Sequence, residues 1–315
     1  MRAMMIGSLV LLLVLVTLPA LSGQEPAVPA PPTAEGPQKV MVGIYILNMG
    51  KLDVATGSFT VDFYLDLKSD RPIPETFEFM NGRASKEKIL DEARDGQYEK
   101  YYRVLAGLAS PIDFKRFPFD GQTLQILIED TKLTTAELVF VPKIEESGFD
   151  PSVNFPGWQI TDSKPTVALH EYKVYGETYS QYVFNVDIAR IKFNSFLKTF
   201  IPVLLTMLIM VSSFILNPAQ IVTRLATISS ALVASAMFHV SIAGQIPPVG
   251  YLTFADKFMM LTYLILLVSF GLNISIFVLQ GKQREDLVKK LNNWSNKIVF
   301  AGVPLLYVAL FLFVK

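Results

Sequence analysis

The sequence predicts an α+β membrane protein, in which an extracellular antiparallel β-sandwich is followed by a bundle of four transmembrane helices. Three observations carry this prediction. Short runs of alternating apolar and polar residues fill the stretch from Lys39 to Lys192, four long apolar segments follow it, and the charge is divided between the two parts. The 315 residues are 51% apolar and 18% charged, with a mean hydropathy of +0.39. That is too apolar for an ordinary soluble domain and too polar for a chain that is membrane throughout. Residues 24–192 hold 18 Lys+Arg against 25 Asp+Glu, a net of −7, while residues 193–315 hold 9 against 3, a net of +6. An acidic soluble part does not suit a nucleic-acid partner. The absence of cysteine excludes disulfides, thiol catalysis and Cys-ligated metal. His170 and His239 are the only histidines, too few for a multi-histidine metal site, so no cofactor or metal is expected.

Residues 1–22 place Arg2 before an apolar run from Ile6 to Leu18 and then Ala20-Leu21-Ser22. This is the pattern of a secretory signal peptide cut near Ser22; a first transmembrane helix would need a longer run. Residues 23–38 are rich in proline and alanine and read as a disordered spacer. From Lys39 the period becomes two. In Ser58–Leu67 the residues Phe59, Val61, Phe63, Leu65 and Leu67 fall on one face of a half-buried strand. Similar alternation marks Val40–Leu47, Thr123–Ile128, Glu137–Val141 and Tyr182–Ile188, with turn signals at Thr56-Gly57, Asn81-Gly82 and Phe155-Pro156-Gly157. Many short strands at this spacing over residues 39–192 argue for a sandwich. Ser85–Glu92 reads as helical or loop-like and takes no assignment.

Residues 193–315 form the transmembrane domain, with helices expected at 193–216, 221–246, 254–280 and 296–315. Their apolar segments, Phe196–Leu216, Ile221–Ile246, Phe258–Leu279 and Ile298–Val314, are each near the ~20 residues that cross a ~30 Å hydrocarbon layer. The expected loop 281–295 and its flank carry Lys282, Arg284, Lys289, Lys290 and Lys297, whereas Pro247–Ala255 has no Lys or Arg. The positive-inside rule puts the former in the cytoplasm and the β-domain outside.

Asp113–Gln122 reads Asp-Phe-Lys-Arg-Phe-Pro-Phe-Asp-Gly-Gln. FPFD in a β-sandwich, Arg190 just before the first span, Pro202 inside it and Ile246-Pro247-Pro248 after the second resemble the pentameric ligand-gated ion channels. The resemblance is to the prokaryotic branch without the paired cysteines, and it covers Lys39 to Lys315. Ser110 and Leu124 stand where the cysteines of the animal receptors would be. The resemblance implies a homopentamer in the bacterial inner membrane, with lipid, permeant inorganic ions and a small-molecule agonist as its partners.

The second span holds Thr223, Thr227, Ser229, Ser230, Ser235 and Ser241 among many alanines. So many hydroxyls suit either a water-facing helix or close helix–helix packing; the resemblance favours a pore lining. Four-three spacing puts Ala226, Ser230, Val233, Met237 and Val240 on one face, which the resemblance turns toward the five-fold axis. Ala226 and Ser230 would leave room for a hydrated ion, and Val233, Met237 and Val240 would stack apolar rings able to gate by dewetting. Asn217–Arg224 carries no acid, so no acidic ring sets selectivity there; the acidic outer domain favours cations. His239 lies off the pore stripe. It is either a neutral histidine bonded to a neighbouring helix or a pH-sensitive element of gating.

Tyr172, Tyr175, Tyr179 and Tyr182 surround Gly176-Glu177 and match the hairpin that caps the agonist site in the family, although Tyr182 belongs equally to the core. The resemblance adds Phe79, Asn81, Glu129 and Asp130 on the same side and Tyr64, Tyr102 and Arg103 on the facing side. Exposed aromatics suit an organic cation or a flat ligand, and Arg103 either attracts a carboxylate or pairs with a nearby acid. The agonist is thus an amine, an aromatic acid or a proton. Coupling between the domains is implied at Asp113, Phe117, Pro118, Phe119, Asp120, Arg190 and Pro247, beside the turn Gly50–Gly57. No catalytic motif is present and no enzyme is expected. The alternative to a channel is a non-conducting, membrane-anchored binding or sensor module.

Overall fold

A computed structural model describes residues 36–312. The expected signal peptide and nearly all of the spacer lie outside the described residues. Among the described residues ten strands and five helices follow one another in two blocks. The strands are β1 (Gln38–Met49), β2 (Ser58–Ser69), β3 (Phe77–Phe79), β4 (Gly82–Arg94), β5 (Gln97–Ala109), β6 (Gly121–Asp130), β7 (Leu138–Pro142), β8 (Gly148–Phe149), β9 (Trp158–Tyr172) and β10 (Glu177–Arg190). One sheet has the order β4-β5-β2-β1-β7 with β8 also on β1; the other is β3-β6-β10-β9. Pairing is antiparallel except for β7 and β8, which run parallel to β1.

The alternation in β2 does what period two requires. Phe59, Val61, Phe63, Leu65 and Leu67 are all buried, and they meet Leu124, Ile126 and Ile128 of β6 and Phe184 and Val186 of β10 across the sandwich. Gln38, expected at the end of the spacer, instead opens β1, where its amide donates to Ser69 Oγ (2.9 Å). Ser85–Glu92, left unassigned above, lies in β4. This strand is exposed along most of both faces, so it shows no core-facing period although it pairs with β5 from Gly82 to Arg94.

The helices are α1 (Lys192–Ser213), α2 (Ile221–Ala243), α3 (Phe254–Gly281), α4 (Glu285–Lys297) and α5 (Val303–Leu312), the last two joined by a π-helical turn at Ile298–Gly302. Among the described residues four helical stretches, Lys192–Ser213, Pro218–Ala243, Phe254–Gly281 and Glu285–Leu312, are long and apolar enough to cross a membrane. The fourth begins at Glu285, within the loop expected at 281–295. Its first part, EDLVKKLNNWSNK, is a strongly amphipathic helix, so hydropathy alone misses it. Thr253 caps α3, accepting from the Asp256 amide (3.2 Å) while Asp256 Oδ2 accepts from the Thr253 amide (2.8 Å). Pro202 sits within α1, where neighbouring helices make such a break tolerable.

Candidate functional site

The junction between the blocks is built from the loop Asp113–Asp120. Asp120 is 1% exposed. Its Oδ1 accepts from Arg190 Nε (2.7 Å) and its Oδ2 from Gln122 Nε2 (2.8 Å). Gln122 in turn donates to the Asp113 carbonyl (2.8 Å) and accepts from the Asp113 amide (2.9 Å). The Arg190 guanidinium lies 5.2 Å from the Phe117 ring and 4.5 Å from Trp158. Pro118 is buried and follows a cis peptide bond. Phe119 reaches the helices, 5.8 Å from Phe200, 5.7 Å from Phe254 and 6.2 Å from Phe311. Ser110 Oγ accepts from the Gln125 amide (2.9 Å), so a hydrogen bond beside Leu124 holds the loop where the animal receptors would use a disulfide.

The linker between α2 and α3 meets this loop directly. The amides of Phe254 and Ala255 donate to the carbonyls of Lys115 (3.0 Å) and Phe117 (3.1 Å). The Tyr251 hydroxyl accepts from the Phe114 amide (2.9 Å) and donates to Asp113 Oδ1 (3.2 Å). Pro247 is half-buried in the same linker, but Tyr251, Phe254 and Ala255 supply these hydrogen bonds. The turn after β1 contributes Val54, which packs onto the helical core. Gly57 in that turn has φ +71°, and a Cβ there would stand 2.1 Å from the Ser110 carbonyl oxygen, so only glycine fits. The Lys115 amide, the Tyr251 hydroxyl and the Lys115 charge hold the Asp113 carboxyl below its usual range.

The β9–β10 hairpin covers a second site. A cavity of about 160 Å³ is lined by Glu78, Glu129, Asp130, Thr131, Tyr172, Tyr175, Glu177 and Tyr179. Glu129 is 2% exposed. Its Oε2 meets His170 Nδ1 at 2.8 Å and accepts from Gln181 Nε2 at 3.0 Å. Burial, and then the Glu129 carboxylate beside it, pushes the Tyr172 hydroxyl up to about 12, so it remains a neutral donor at ordinary pH. Tyr172 and Tyr179 make an edge-to-face pair at 5.5 Å, and the Tyr179 hydroxyl donates to Glu177 (2.9 Å). Tyr175 is 75% exposed at the hairpin tip. Asp130 is committed to structure, accepting from the Thr76 hydroxyl (2.6 Å) and from the amides of Lys132 and Leu133.

Other residues assigned to this site are placed elsewhere. Phe79 belongs to the sandwich core, edge-to-face with Phe63 at 5.8 Å. Asn81 clamps backbone, donating to the carbonyls of Ala109 and Gln125 and accepting from the Leu127 amide. Tyr182 is fully buried in the core. On the facing side Tyr64 pairs in register with Arg103 and stacks on Tyr101 at 5.1 Å, while Arg103 grips Asp62 through Nη2 at 2.8 Å and Nε at 3.3 Å. Tyr102 lies on the opposite face of β5, buried against Phe77. It does not share a surface with Tyr64 and Arg103. His170 is the residue the sequence reading passed over, because a histidine in a weakly patterned strand carries no signal until the fold brings Glu129 beside it.

On α2 the two faces separate cleanly. Ile221, Arg224, Ile228, Ala231, Ser235 and Ile242 are buried. At 100° per residue the stripe Ala226, Ser230, Val233, Met237 and Val240 lies opposite them, uncovered by the subunit, with Val233, Met237 and Val240 62, 70 and 75% exposed. Arg224 points away from that stripe. Its guanidinium caps the end of α1 by donating to the carbonyls of Phe214 (3.2 Å) and Leu216, and it donates to Asn292 Oδ1 of α4 (2.8 Å), a favourable place for a cation. His239 bonds α3, with Nδ1 3.1 Å from the Tyr263 hydroxyl and Nε2 3.2 Å from Asp256 Oδ1.

Among the described residues a two-sheet β-domain stands on four membrane-length helices; at the junction Phe119 packs among phenylalanines of the helices, and the buried Asp120–Arg190 pair holds its loop to the sheet side. This is the architecture of a multi-pass membrane protein with its N-terminal domain outside. No family model matches the chain. It is similar to the proton-gated ion channel of Gloeobacter violaceus, with 24% identity over 275 residues that cover 80% of this chain and 76% of that relative. The chain is thus similar to an ion channel over most of its length, and its lack of cysteine agrees with the resemblance drawn from the sequence.

Proposed function

We propose that five copies of the chain surround a pore lined by α2, which opens when a cationic ligand occupies the cavity under the β9–β10 hairpin. The observation that carries this is the uncovered stripe of α2. Its residues face away from the subunit's own core, and its lower part is small and polar while its upper part is apolar. Val233, Met237 and Val240 would then form rings that block ions when narrow, since an apolar tube offers no substitute for a hydration shell. The acidic outer domain would concentrate cations at the mouth.

The cavity lining favours an amine over an aromatic acid. It brings four carboxylates and three tyrosines together, and no lysine or arginine is among the described residues that line it; aromatic faces and carboxylates both attract an ammonium group. Arg103, the group best suited to a carboxylate ligand, is already paired with Asp62. The facing wall would come from Tyr64 and Arg103 of a neighbouring copy. A second reading, the proton as agonist, is favoured by the pairing of both histidines with carboxylates, His170 with Glu129 and His239 with Asp256. The relative is gated by protons. If His239 senses pH from behind the pore helix, His239→Phe flattens the pH dependence of gating.

The test is current through purified protein in planar bilayers, screened against amines, aromatic acids and pH, with reversal potentials in salt gradients. Amine-evoked, cation-selective current is expected. Ligand binding without current under any condition would make the chain a non-conducting sensor instead.

A further inference from the structure

His170 does not line the hairpin cavity; it stands behind two residues that do. Its Nδ1 is 2.8 Å from the buried Glu129 carboxylate, and its ring is 4.4 Å from that of Tyr172. Gln181 Nε2 donates to the same Glu129 oxygen and lies 3.4 Å from His170 Nδ1. The titratable groups lining the cavity beside it are Glu129 and Asp130 on β6, Glu78 on β3, Tyr172 on its own strand, Tyr175 at the hairpin tip, and Glu177 and Tyr179 on β10. All are neutral or negative. A protonated His170 would be the sole positive charge among them, and its side chain, 39% exposed, is open to proton exchange with water.

We propose that His170 is a positioning residue that makes this cavity a proton-antagonised cation site, in which a bound organic cation and the imidazolium compete for Glu129. This rests on the cation reading of the cavity given above. In acid the imidazolium already neutralises Glu129, and a cationic guest meets a like charge behind the carboxylate. When the ring is neutral it still donates through Nδ1, and the carboxylate charge is left for the guest. Linkage is reciprocal, so a guest that binds more weakly in acid must expel a proton when it binds. Gln181 holds Glu129 in place in both states, so the exchange requires no rearrangement of the strands.

Choline is the appropriate probe because its quaternary ammonium keeps its charge at every pH. Calorimetric titration of the full-length protein at pH 5 and pH 8 is expected to show roughly tenfold weaker choline binding at pH 5. Repeating the titration at pH 6.5 in buffers of different ionisation enthalpy is expected to show release of a fraction of a proton per choline. His170→Gln keeps a donor to Glu129 and is expected to remove both effects while leaving the pH 8 affinity intact. The wild-type proton count stands on its own if that variant folds poorly. Equal affinity at both pH values with no proton release, or an unchanged pH profile in His170→Gln, overturns the proposal and leaves the cation cavity standing. Failure of choline to bind at either pH removes the cation reading and this proposal with it.

Discussion

Two of the almost completely buried carboxylates in the outer domain each have one basic partner. Asp120 at the membrane junction has Arg190 at 2.7 Å, and Glu129 under the hairpin has His170 at 2.8 Å. Their surroundings differ. The Arg190 guanidinium is sandwiched by Phe117 and Trp158, and guanidinium stays charged at all working pH. His170 opens to water beside an acidic cavity, and an imidazole, unlike a guanidinium, can exist uncharged. On the proposed function the junction is a fixed link between the blocks, and the cavity holds the pair whose charge responds to its surroundings.

The sharpest way to break this contrast is Arg190→Ala. It strands a buried carboxylate, at a cost of about 3–5 kcal/mol, and is expected to abolish ligand-evoked current while ligand binding stays measurable. Paired recordings and calorimetry on the same preparation check it. Val233→Ser places a hydroxyl in the proposed gate and is expected to give current without ligand; a silent channel would count against the apolar rings. Tyr175→Ala removes one aromatic wall at the exposed tip, worth about 0.5–1 kcal/mol in cation–π contact, and should weaken choline binding two- to fivefold by calorimetry. Ser110→Ala loses one buried hydrogen bond, about 1 kcal/mol, and should lower the melting temperature without altering ligand affinity. The smallest effect concerns Asp113. Its carboxyl is held low in the folded state, so its stabilising share is complete above the unfolded value of about 3.9 and fades only as pH falls through the lower folded value. The difference in stability between Asp113→Asn and wild type, measured by denaturation between pH 5 and 8, should therefore not vary with pH.

How much of this could be read beforehand followed the strength of the local pattern. β2 was legible because five alternating side chains fill one core, and α1 to α3 because their apolar stretches match the bilayer. β4 was not, since a strand solvated on both sides has no period, and α4 was not, since its polar face hides the helix from a hydropathy window. On α2, spacing put the stripe on one face and the resemblance singled that face out; the burial pattern leaves it uncovered by the subunit. The cavity followed less well. Tyr64 and Arg103 pair in register, so parity along β5 puts Tyr102 on the other face; without that register the three looked equivalent. Phe79 and Asn81 turned out to serve the core and the backbone. His170 became visible only through β6–β10–β9 pairing, a long-range fact that no local window contains.

The most direct test of the central claim uses the absence of native cysteine. Single cysteines are placed at Val233, on the uncovered face of α2, and at Ala231, on its buried face. Each protein is exposed in planar bilayers to a charged, membrane-impermeant methanethiosulfonate reagent. The account predicts that ligand-evoked current through Val233→Cys is altered irreversibly while Ala231→Cys is unaffected. Reaction at Ala231→Cys with Val233→Cys inert would place the other face of α2 in water and contradict it.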